Sequence, residues 1–315
     1  MQEKRNHQLF ILLVVLLTLT TSAYVLVHRE AKSEIDKALF RIASDKTDRV
    51  EIVSKKDTII LSVENGKWKV NDVHDADLNM IQVLFATIDQ IEPKRQVGAS
   101  QKDSISRLLQ TQGVTVRFFE NDNSQLEFQA GGNSRKTEAW YQLTREMNPY
   151  VMVIPGYKVY GSGIFELDAN GWRDKLIFSP NWRNVKRLAT TVSNDPSQSF
   201  TISMKQNVLT LDGIPEPDTT KLLDYVDAIS LLVGEQFISP GYSASYDSLS
   251  KTQSSFKIDI HDIASRTYSL EVYPPLKNDQ NILGKLENEE LILIKREKII
   301  PLARKRDYFK KTQAP

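Results

Sequence analysis

Residues 67–91, KWKVNDVHDADLNMIQVLFATIDQI, decide the fold of this chain. Trp68 and Val70 alternate with lysines, as on a half-buried strand. A polar turn follows. From Leu78 the spacing changes: Leu78, Ile81, Leu84, Phe85, Ile88 and Ile91 fall on one face of a helix. Asp77 stands where an N-cap carboxylate accepts the orphan N–H groups of the first turn, and Pro93 stops the helix. Upstream, Val50 and Ile52, then Ile59, Leu61 and Val63, alternate around a turn at Lys55–Asp57. Asn65-Gly66 is a hairpin signal, since a type I′ turn needs positive φ at both central residues. The stretch therefore closes a three-stranded meander and begins the helix that covers it.

The same pattern occurs again. Asp218 follows Pro217 and opens a second stripe of Leu222, Tyr225, Val226, Ile229 and Leu232. The offset from the first copy is constant at 141 residues (218 less 77, 232 less 91), and it places Trp68 and Val70 on Leu209 and Leu211. Between the copies, Ser104–Gln110 reads as a short helix ending at Gly113. Val114–Phe118 and Leu126–Phe128 read as strands joined by an Asn121-Asp122-Asn123 turn, followed by strands at Trp140–Leu143 and Tyr150–Ile154. Val114 and Val116 match Phe256 and Ile258, Leu126–Phe128 match Leu270–Val272, and Val151–Ile154 match Leu291–Ile294. The expected fold class is α+β: an N-terminal transmembrane helix followed by two tandem repeats, each an antiparallel β-sheet with one main amphipathic helix. The repeats are placed at residues 49–178 and 179–315.

Leu9–Val27 carries no charge and is long enough, at 1.5 Å per residue, for about 28 Å of hydrocarbon. It is read as a single-pass signal-anchor, with residues 1–8 cytoplasmic and residues 28–48 a juxtamembrane stalk. In the stalk Ala31, Ile35, Ala38, Leu39 and Ile42 lie near one helical face. The alternative is a cleaved signal peptide with its apolar region at Leu9–Leu19 and small residues at Thr21-Ser22-Ala23. A short leader before a long polar body places the body outside the cytoplasm.

Composition narrows the chemistry. The absence of cysteine excludes disulfides, thiolate metal sites and a cysteine nucleophile. A net charge of +1 gives no field for nucleic acid. His74-Asp75-Ala76-Asp77 is the one stretch that suggests a metal, but the second copy has no histidine there, so a turn and a cap are the simpler reading. Gly161-Ser162-Gly163 lacks the wider frame of a serine elbow, and Glu287, Glu289 and Glu290 read as solvated turn residues. No phosphate loop or dinucleotide fingerprint occurs. No catalytic residue, cofactor or metal ligand is expected. A basic C-terminal run, from Lys295, Arg296 and Lys298 to Lys310 and Lys311, suits either anionic surfaces or strand-edge protection. The candidate site is Trp172, Arg173, Asp174 and Lys175, at the junction of the repeats. Tryptophan and arginine with a flanking acid and base are the make-up of a partner-docking hot spot, or of a clasp joining the repeats.

Gly66–Asn71, Gly113–Val116, Pro149–Gly156 and Trp172–Phe178 together resemble a family of bacterial membrane-anchored envelope proteins known only by a domain of unknown function. Relatives of that family sit beside auxiliary subunits of gliding-type ABC transporters. The resemblance runs from about Phe40 to the C-terminus, plus the N-terminal anchor, and supplies no catalytic residues. It implies a non-enzymatic, extracytoplasmic interaction or accessory protein. That protein would be held in the inner membrane by residues 9–27 and would act on an envelope partner, with a transport or gliding-type ABC complex as one candidate. The alternative is an accessory that captures a glycan, wall fragment or lipid in a groove between the repeats.

Overall fold

The computed structural model describes residues 11–24, 36–143, 148–205 and 208–311. The chain divides into two compact units. One takes the chain up to Val73 and again over Leu78–Asp168; the other takes His74–Asp77 and everything from Ala169 onward.

In chain order the first half holds helix α1 (residues 11–24), β1 (Arg49–Val53), β2 (Thr58–Glu64), β3 (Lys67–Val70), β4 (His74–Asp75), α2 (Leu78–Gln90), β5 (Glu92–Gln96), α3 (Ala99–Gln112), β6 (Val114–Glu120), β7 (Asn123–Gly132), β8 (Ala139–Gln142) and β9 (Tyr150–Val153). Within the first unit the strands run β3-β2-β1-β6-β7-β8-β9-β5, and each neighbouring pair is antiparallel. The β2–β3 turn is set by Asn65 (φ 51°) and Gly66 (φ 76°). Nothing lies within 4 Å of a Cβ placed on Gly66, so the cost of a side chain there is conformational alone. Gly66→Ala is expected to lower stability by about 1 kcal/mol, read as a shift in the urea midpoint at unchanged slope.

Helix α2 buries Ile81, Leu84 and Ile88, and Ile91 follows them into the core, while Leu78 in the first turn is exposed. The centre of the unit is aromatic. Phe128 stacks on Tyr141 at 4.7 Å between ring centroids, and Phe165 meets both rings edge-on. Phe40 closes this cluster, set edge-on to Phe128, Tyr141 and Tyr150.

The second half holds α4 (Ala169–Trp172), β10 (Val185–Val192), β11 (Phe200–Lys205), β12 (Val208–Leu211), α5 (Thr219–Ser230), β13 (Gln236–Ile238), α6 (Ala244–Leu249), β14 (Phe256–Asp262), β15 (Thr267–Val272), β16 (Asn281–Leu286), β17 (Leu291–Lys295) and α7 (Arg296–Ile299). Its eight-stranded antiparallel sheet runs β12-β11-β10-β14-β15-β16-β17-β13, the order of the first unit strand for strand. Asp218 caps α5 by accepting the Lys221 N–H at 3.2 Å. Leu222, Tyr225 and Ile229 turn into a core with Leu188, Ile202, Ile258 and Ile260. The buried Tyr225 hydroxyl lies 2.9 Å from Thr190 Oγ1, so the helix reaches the sheet with its one polar group satisfied.

Pair registers place the two sheets on each other more exactly than the sequence pattern does. Val116 faces Phe128 as Ile258 faces Leu270, and Tyr141 faces Tyr150 as Gly284 faces Ile292. β6, β7 and β9 therefore match β14, β15 and β17 at one offset of 142 (258 less 116, 270 less 128, 292 less 150). The sequence matches for the last two strands were each two residues off. Phe40 stands ahead of β1 at the spacing at which Phe178 stands ahead of β10, and both are fully buried. Phe178 belongs to the core of the second unit, not to the end of the first.

The expected fold class needs correction. Among the described residues no helix is long and apolar enough to cross a membrane. α1 is described over residues 11–24. The rest of the expected span, with the expected cytoplasmic residues 1–8 and the first part of the expected stalk, lies outside the described residues. Residues 36–48 form turns and not a helix, and they deliver Phe40 to the core. The first unit also carries two long helices where one main helix was expected, because α3 extends well beyond the predicted Ser104–Gln110.

Candidate functional site

The segment that follows α4 is extended and held along both edges. Arg173 bridges to Ala76, the Asp77 N–H donates to the Trp172 carbonyl at 2.8 Å, and the Asp174 N–H donates to the Asp75 carbonyl at 2.8 Å. On the other edge Leu176 bridges to Val233, the Ile177 N–H donates to the Leu232 carbonyl, and the Gly234 N–H donates to the Lys175 carbonyl. The His-Asp-Ala-Asp stretch is thus an edge partner of Trp172–Asp174 within the second unit. Backbone pairing of this kind leaves no side-chain signature.

Side chains of the four candidate residues part company. Trp172 and Arg173 are buried, Lys175 is half-buried and Asp174 is exposed. Arg173 makes a forked pair with Glu290: Nη1 to Oε1 at 2.9 Å and Nη2 to Oε2 at 2.7 Å. Nη1 also reaches Asn170 Oδ1 at 3.2 Å, and the guanidinium lies 3.7 Å over the Phe237 ring. A planar cation with parallel N–H groups suits this double role; a lysine would keep the charge and lose the fork. The Arg173 side chain is 8% exposed and that of Glu290 is 30% exposed. Burial pushes the Glu290 carboxyl up, but the bonds from Arg173 and Asn288 and the nearby positive charges outweigh it, so the group is held below its ordinary value. His74 Nε2 lies 4.0 Å from Glu290 Oε1. Glu290 was expected to be a solvated turn residue; it is the anchor of Arg173.

Arg173, Phe237 and Glu290 form one wall of a cavity of about 460 Å³, completed by Lys285, Asn288 and Glu289 among others. Lys285 is paired with Glu289 at 3.1 Å and Glu271 at 3.6 Å, and the Glu289 bond raises its ammonium. Charges in this cavity are matched within the protein. A catalytic acid needs a carboxyl pushed up, and Glu290 is held down.

The other sequence candidates resolve in place. Ser162 is fully buried and its hydroxyl donates to the Gly131 carbonyl at 2.7 Å. Nearby, Tyr160 donates to Glu166, which pairs with Lys136 at 2.9 Å; burial and then Glu166 push the Tyr160 phenol up, so it stays protonated. His261 bonds Arg187 and Thr267. His7 and His28 lie outside the described residues. The basic C-terminal run is largely paired: Lys295 and Lys298 with Glu235, Lys305 with Asp195, Lys310 with Asp307 and Lys311 with Glu216. Among the described residues no three His, Cys, Asp or Glu side chains gather as a cation site. Asn170, Phe237 and Glu290 were not expected at the site. Asn170 is three residues before Arg173 in the chain, whereas Phe237 and Glu290 come from distant stretches and only the fold brings them to it.

The model of the family described as Domain of unknown function (DUF4340) matches residues 68–251, more than half of the chain. The chain belongs to this family. The DUF4340 match begins on β3, at the stretch that decides the fold, and ends beyond α6, so it includes Trp172–Lys175. No curated protein and no solved structure matches the chain.

Proposed function

We propose that this protein is a non-enzymatic interaction component of the bacterial cell envelope, which presents Asp174 and Lys175, on the rigid Trp172–Lys175 segment, to a partner. The observation that carries this reading is the way the segment is built. Its backbone is pinned along both edges, Arg173 is locked beneath it by Glu290 and Phe237, and Asp174 is left in solvent. A rigid base with exposed charge lowers the ordering cost of association. The resemblance to envelope proteins supports that compartment. The pairing of Ser162, Tyr160 and Glu290 within the protein supports binding over turnover.

A photo-crosslinking residue placed at Asp174 in living cells tests it, with the same residue at Lys56, an exposed turn position of the first unit, as control. A discrete adduct from position 174, absent from position 56 and weakened by Lys175→Glu, is the expected result. No adduct from 174, or the same adducts from both positions, would overturn the reading.

A further inference from the structure

In the first unit, Trp68 on β3 packs against Phe85 on α2, with ring centroids 5.6 Å apart. This pair fills the space between the end strand of the meander and the helix. The second unit has the same strands in the same register: Trp68 faces Val63 as Leu209 faces Met204. Its helix stripe runs at the same spacing, so Phe85 corresponds to Val226. Both aromatics are thus replaced by smaller aliphatic residues. Where the ring pair would lie, the second unit has a cavity of about 560 Å³ lined by Trp182, Met204, Leu209, Leu223, Val226 and Asp227. That volume is in the range of ligand pockets. Leu223 is half exposed. β12, which carries Leu209, is the outermost strand of its sheet, and an edge strand offers outward N–H and C=O groups to an added strand.

We propose that this cavity receives an aromatic side chain from an extended segment of a partner protein, which adds to the edge of β12. The first unit shows the occupant: its own indole fills the equivalent space. An aromatic ring brings large apolar area at low entropic cost, and strand addition fixes its position. Asp227 on the rim suits the indole N–H of a tryptophan or the hydroxyl of a tyrosine. This deepens the interaction reading and rests on it, but the surface is distinct from Asp174. Failure of one test therefore leaves the other result standing.

The test uses the full chain with ¹³C-labelled methyl groups. The probes are N-acetyl-tryptophanamide, a capped Thr-Val-Trp-Val-Thr peptide, the same peptide with alanine for tryptophan, and dodecanoate. The tryptophan peptide is expected to shift the methyls of Met204, Leu209, Leu223 and Val226 saturably, and to bind roughly tenfold or more tighter than the alanine peptide. Leu209→Trp rebuilds the filling of the first unit and is expected to abolish those shifts while keeping the melting temperature. Val226→Phe is the second such variant. No shift at these methyls with either tryptophan probe would overturn the proposal, and so would shifts from dodecanoate alone, which would assign the cavity to a lipid chain. Equal binding by the two peptides would also overturn it.

Discussion

Arg173→Ala is expected to destabilise the protein by about 3 kcal/mol at neutral pH, because it leaves the Glu290 carboxylate without its forked partner and removes the cover from Phe237. The lower end of the range for buried pairs applies, since part of Glu290 still meets solvent. Most of that cost comes from the orphaned charge, so Arg173→Met with Glu290→Met should recover much of it. Arg173→Lys should fall in between, as charge survives and the fork does not.

The pH dependence has a definite sign. In the native protein the Glu290 carboxyl is held below its ordinary value. Its contribution is fully present above the unfolded value, near 4.5, and is lost as pH falls through the folded value. In Arg173→Ala burial acts on Glu290 without the guanidinium to oppose it, so its value rises. The deficit of the variant is therefore largest near neutrality and shrinks as Glu290 is protonated. Urea midpoints of both proteins at pH 7 and at pH 4 measure this. A deficit that grows on acidification would show that the pair does not hold the segment.

Phe40→Ala should cost about 3–4 kcal/mol, the range for a fully buried phenylalanine whose cavity cannot collapse. Three aromatic rings, from Phe128, Tyr141 and Tyr150, line the space left behind. Phe178→Ala, at the equivalent place in the second unit, should cost a similar amount. Thermal melts of the two variants check this. If residues 28–48 acted as a free stalk, Phe40→Ala would be neutral.

These two residues mark where the sequence could be read and where it could not. The stripes of α2 and α5 were legible because helical spacing survives substitution: Ile81, Leu84 and Ile88 correspond in burial to Leu222, Tyr225 and Ile229. The Asn65-Gly66 turn was legible because few residues tolerate its backbone angles. Matching of β7 and β9 to their counterparts slipped by two residues. Alternation repeats every two residues, so a slide of two keeps every side chain on its face and leaves no trace in the pattern. Phe40 was missed because a lone aromatic in a charged segment has no period. The turns after residue 35 show the limit of reading periodicity alone: Ala38, Leu39 and Ile42 at helical spacing predict a stalk helix, while residues 36–48 form turns. Trp172 and Arg173 were singled out by composition. Glu290 was not, because a glutamate on a turn looks solvated until the fold places an arginine above it.

The claim that this protein works by binding and not by turnover is tested most directly on the partner captured through Asp174. Purified and titrated with the protein, the partner should saturate it at a fixed stoichiometry. After prolonged incubation with a trace of the protein, intact-mass measurement should return the partner unchanged. A partner cleaved or modified at a rate proportional to protein concentration would contradict the claim.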